Sequence, residues 1–130
     1  MVSLPSAMHA ELVAQHVRLR ALLLSAESAA RRYLAGDPAA DFRAALDALR
    51  GALSVHHQYE ERVYESLLRE GESTGTLRVE RMIRDHKNEH VAMLELLELD
   101  AQIVVDVLAE LADDLIAHIA AEERIFLGAR

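Results

Sequence analysis

Two stretches of the chain, HHQYEERVY (His56–Tyr64) and HIAAEERIF (His118–Phe126), share one pattern: His, three residues, Glu-Glu-Arg, an aliphatic residue, an aromatic one. The spacing of four between His and the first Glu constrains the fold more than any other feature. Side chains at i and i+4 meet on one face of an α-helix. Each copy therefore aims an imidazole and a carboxylate at a single point. His86 and His90 repeat the spacing with two imidazoles, and His16 adds a lone one. Polar groups gathered on the inward face of apolar helices are costly unless something binds them.

The surrounding sequence is suited to helices. Hydrophobic residues make up 52% of the 130, aromatics only 4%, and five glycines and two prolines leave few breaks. That length fits one domain, residues 1–130, able to bury a core without staples. The absence of cysteine excludes disulfides and thiolate metal sites. A net charge of -8 opposes binding to nucleic acid or to an anionic membrane surface. No basic leader precedes an apolar run at the start, and no uncharged stretch is long enough to span a bilayer. A soluble cytoplasmic protein is expected.

Punctuation residues divide the chain into four helices. Ser6 is expected to cap the first, which stops at Gly36; Asp37 and Pro38 open the second, which stops at Gly71. The loop GESTGT leads to a third helix from about Thr76. No Gly or Pro separates Gly75 from Gly128, so the last turn is placed at Glu98 to Gln102 on weak signals, and the fourth helix ends near Leu127. Short connections predict an all-α, up-down-up-down four-helix bundle. Gly36 lies 20 residues after His16 and 20 before His56, which puts the two histidines at one height. The same reasoning applied to His90 and His118 asks for a turn near Val104, a few residues later than the cap signals.

Seven groups thus face one level: His16, His56, Glu60, His86, His90, His118 and Glu122. One tetrahedral zinc takes only four ligands and would leave the remainder unpaired. Two divalent ions bridged by the two carboxylates use the whole set. Imidazole and carboxylate without sulfur suit iron, with manganese or zinc less favoured. A ferritin-like centre is excluded, because no histidine has Glu three residues before it.

In order, AQHVRLR, HHQYEE, HKNEH and HIAAEE resemble the hemerythrin-like (HHE cation-binding) domain family across essentially the whole chain. The resemblance implies a di-iron centre with a solvent-derived (oxo or hydroxo) bridge. His86, His90 and His118 would hold one iron; His16 and His56 would hold the other, whose free position takes oxygen. Glu60 and a helix-four acid would bridge them. Oxygen carriers of the family have Asp five residues after the helix-four histidine, whereas here Glu122 and Glu123 stand at +4 and +5; the internal repeat favours Glu122. The implied function is binding or sensing of O2, NO or peroxide. An enzyme consuming peroxide or NO is the rival. An iron store or iron-responsive module, acting through a separate protein partner or a homo-oligomer, is the third reading.

The remaining residues have plainer roles. His9 and His57 are expected to be packed or half-exposed, with His57 able to donate to a nearby carboxylate. Glu61, Arg62, Glu123 and Arg124 read as a solvated face, with orientation of a ligand as the alternative. Tyr64 and Phe126 read as core, although Tyr59 or Tyr64 could bring a hydroxyl to the site.

Overall fold

Leucine and alanine stripes at helical spacing, broken only at the expected turns, give the chain four α-helices and no other regular element among the described residues. They are α1 (Ser6–Leu34), α2 (Ala39–Glu70), α3 (Thr76–Leu97) and α4 (Ala101–Phe126). The computed structural model describes the backbone of residues 5–70 and 76–126 and the side chains of 5–66, 80–81 and 83–124. The expected stop at Gly71, the loop to Gly75, the helix end near Leu127 and the packing of Phe126 lie outside those residues. Each helix packs on its sequence neighbours, and α4 closes the circle on α1.

The first two turns behave as their sequences suggest, with one correction. Pro5, not Ser6, holds the N-cap position of α1; Ser6 is already helical and makes no capping bond. At the other end Gly36 adopts φ +113, a conformation that side chains with a Cβ rarely take. Its N–H donates to the Tyr33 carbonyl and that of Asp37 to the Arg32 carbonyl, the paired bonds that end a helix in a left-handed glycine. Ala39 opens α2 directly after Asp37-Pro38.

The α3–α4 turn falls at Glu98–Asp100, inside the span signalled by sequence and not at Val104. Val104 is fully buried within α4. Only residues 98–100 join the two helices, and side chains of α2 fix where that turn falls. Arg43 donates to the carbonyls of Leu97 (2.6 Å) and Leu99 (2.8 Å), and Arg50 pairs with Glu98 at 2.9 Å. A cationic side chain from another helix thus satisfies the C-terminal carbonyls that a local glycine would otherwise serve.

The core follows the stripes. Leu19, Leu23, Phe42, Leu46, Leu49, Leu53, Leu97, Leu108, Leu111 and Leu115 are almost completely buried. Full burial of such a side chain contributes about 1.5–3 kcal/mol. Leu12 and Val63 are buried on the far side of the histidines, so the polar layer sits between apolar ones.

Replacing Arg43 by Ala should lower unfolding free energy by about 1–3 kcal/mol, as two carbonyls lose their charged donor. Asp47→Ala, which removes only an exposed partner of Arg43, should cost less than about 0.5 kcal/mol. Urea titrations of both variants check this; equal losses would refute the capping role.

Candidate metal centre

The i, i+4 spacing and the bundle topology bring six of the seven expected residues into one dry layer. His16, His56, Glu60, His90, His118 and Glu122 are each no more than 5% exposed. Glu122 lies at the middle. Its carboxylate oxygens are 2.9 Å from His118 Nε2, 3.2 Å from His56 Nε2, 3.5 Å from His16 Nε2 and 3.7 Å from His90 Nε2. Glu60 Oε1 is 2.6 Å from His56 Nε2, and Glu60 Oε2 is 3.5 Å from His90 Nδ1. Tyr64 is buried as expected and donates its hydroxyl to Glu60 Oε2 at 2.5 Å. His86 is half-buried, with its ring 4.7 Å from that of His118. Among the described residues, ligand atoms of His56, Glu60, His90 and Glu122 all lie within 4.8 Å of one another.

The outer nitrogen of one imidazole per helix is held by a residue from the neighbouring helix. His56 Nδ1 donates to Gln15 Oε1 at 2.7 Å, and His118 Nδ1 to Glu89 at 2.6 Å. His16 Nδ1 donates to Glu123 at 3.2 Å, while Arg20 holds the same carboxylate from the other side at 2.7 Å. His57 Nδ1 and His90 Nδ1 share a hydrogen bond of 3.0 Å. A carboxylate only accepts, so Nδ1 of His16 and of His118 must carry hydrogen and Nε2 is the atom turned inward. The buried Nε2 atoms of His16, His90 and His118, and Oε1 of Glu60, lie close to their neighbours yet make no hydrogen bond. Buried polar atoms are ordinarily satisfied. Inward Nε2 atoms meeting two carboxylates are a donor set that fits a cation.

The family described as the hemerythrin HHE cation binding domain matches residues 7–129. The chain belongs to this family. No curated protein and no solved structure gives a match.

In this hemerythrin-family protein the four outer partners follow a rule that helical periodicity alone does not reveal. Gln15 precedes His16 but serves His56; His57 follows His56 but serves His90. Glu89 precedes His90 but serves His118; Glu123 follows Glu122 but serves His16. Support therefore runs α1 to α2 to α3 to α4 and back to α1. Adjacent helical residues are about 100° apart, so the neighbour of an inward residue lies at an interface. Antiparallel helices reverse the sense of that rotation. The same direction around the bundle thus needs the preceding residue on α1 and α3 and the following one on α2 and α4.

Glu123 accordingly leaves the solvated face expected of it, while Glu61, Arg62 and Arg124 stay exposed. His9 is exposed as well. His57 is half-buried, with Nε2 3.8 Å from Glu61 in addition to its bond to His90. Gln15, Arg20 and Glu89 were not singled out from sequence. Their one visible signal is adjacency or one-turn spacing to a proposed ligand.

The two buried carboxylates dominate the electrostatics of the layer. Burial alone would depress the His56 pKa, but Glu122 and Glu60 outweigh it and raise it to about 9. His118 is likewise raised by Glu122 and Glu89 against its burial, whereas burial leaves His90 and His57 lowered. Burial and the adjacent Glu122 push Glu60 up, while the close approach of Glu60 and the surrounding imidazoles overcomes burial and holds Glu122 down. Burial and the Glu60 carboxylate keep Tyr64 protonated well beyond its usual range. Arg20 holds Glu123 below the ordinary carboxylate value.

Tyr64→Phe should destabilise the metal-free protein by about 1–3 kcal/mol, because the buried Glu60 carboxylate loses a donor. Guanidinium unfolding at neutral pH measures it; a variant as stable as the parent would show that the bond contributes nothing.

Proposed function

We propose that this chain is a non-haem di-iron protein that binds or senses a small oxidant, O2 first and NO or peroxide after it, in the cytoplasm. The observation that carries the reading is the buried carboxylate pair, met by inward Nε2 atoms whose rings are fixed from outside. His86, His90 and His118 would hold one iron and His16 and His56 the other, with Glu60 and Glu122 between them. Iron held there supplies one-electron redox chemistry and an open coordination position. The protein supplies the rest. Gln15, Glu89 and Glu123 orient the imidazoles and fix their tautomers, and apolar layers on both sides exclude water. Tyr64 holds a proton at Glu60, within the same layer as any bound ligand.

The four ligand atoms that lie within 4.8 Å of one another favour a second reading, a single ion held by His56, Glu60, His90 and Glu122. In that reading His16, His86 and His118 are supporting residues. Metal stoichiometry separates the two.

His56→Ala and Glu60→Ala should each lose most of the bound iron, measured by elemental analysis after anaerobic reconstitution with ferrous salt. Two irons per parent chain support the binuclear reading and one supports the other; variants that retain the parental content refute both. Gln15→Leu should keep the stoichiometry but weaken affinity by roughly 10–100-fold, as lost orienting bonds do. Reduced protein exposed to O2 and then purged should recover its starting spectrum if it binds reversibly. Permanent oxidation counts against a carrier or sensor, and sustained consumption of added peroxide indicates an enzyme.

A further inference from the structure

We infer that the cleft between α3 and α4 is the route by which a divalent cation passes between solvent and the buried layer. The inference rests on the metal-binding reading of that layer. A site with six of its seven proposed ligands all but inaccessible needs a path for the ion, and a hydrated cation does not cross apolar packing cheaply.

Two independent observations point to this cleft. The first is space: a solvent-open cavity of about 450 Å3 is lined by His86, Glu89, Asp114 and His118 alongside apolar residues of both helices, Met93, Ala117 and Ala121 among them. The second is the uneven exposure of the outer partners. Glu89, which holds His118, is 57% exposed, against 23% for Glu123 and 18% for His57. The circuit of supporting bonds is therefore most open to water at His118.

The wall has the chemistry of a stepwise dehydration path. Asp114 and Glu89 place negative charge at the opening, where they attract a cation and repel anions. His86 and His118 offer nitrogen in place of lost water. His118 spans the wall, with Nδ1 on the exposed Glu89 carboxylate and Nε2 2.9 Å from Glu122 in the interior. An ion that displaces this outer contact is one imidazole away from the buried carboxylates. Ala117 and Ala121, one helical turn apart, keep the passage free of bulk. Among the described residues the cleft groups do not converge into a second cluster, which suits transit and not storage.

The test is stopped-flow uptake of Co2+ by the metal-free chain, followed in the visible, with release measured by dilution into chelator. Ala117 is exposed, so Ala117→Leu narrows the passage at little cost to folding. It should slow uptake and release together by about tenfold, with unchanged stoichiometry and affinity, since an obstructed route alters both rates equally. Asp114→Asn should slow uptake about two- to threefold at low ionic strength and hardly at all in high salt. Parental rates in both variants would overturn the route, as would a change in affinity without a matched change in both rates. Failure of the parent itself to bind Co2+ or Fe2+ would instead refute the metal-binding reading.

Discussion

The whole structure is arranged around two carboxylates, Glu60 and Glu122, that are almost fully buried in a leucine-lined bundle. Neither could stay there without positive charge and hydrogen-bond donors within reach. That need is met by imidazoles and by the Tyr64 hydroxyl, which explains why His56 and His118 are raised despite their burial. A cation at the same place would take over that charge and free the inward nitrogens to act as ligands. Charge compensation thus accounts for the electrostatics of the layer and for the chemistry proposed for it.

Holding those imidazoles still is the second demand, and the bundle meets it with one device used four times. A residue beside an inward group reaches to the next helix and takes the outer nitrogen of its histidine. The four partners are of three kinds: an amide at Gln15, carboxylates at Glu89 and Glu123, an imidazole at His57. The carboxylates leave negative charge behind their rings and the amide and imidazole do not, so the four ligands are not equivalent in basicity. Arg20 further tempers Glu123, whereas Glu89 faces water. The side of the layer around His118 is accordingly the more accessible one, and the side around His16 the more enclosed.

Stability and function are joined through the same helices. The apolar layers beside the site also pack α1 against α2. The end of α3 depends on Arg43 of α2, so the height of His90 relative to His56 is set partly by a cation far from the site. Hemerythrin-family membership fixes the general plan; these particular contacts belong to this chain.

Four helices, their order and six of the residues in the buried layer were legible in the sequence, because i, i+4 spacing on apolar helices admits one inward face. The internal repeat was enough to prefer Glu122 over Glu123 as the inward acid, and the structure places them on those two sides. What the sequence left open is what depends on neighbours from other helices. The α3–α4 turn carries no glycine because Arg43 does that work across the bundle. Gln15 and Glu89 carry no local mark, since their partners lie 41 and 29 residues away. Periodicity encodes which way a side chain points; only packing decides which other helix stands there to receive it.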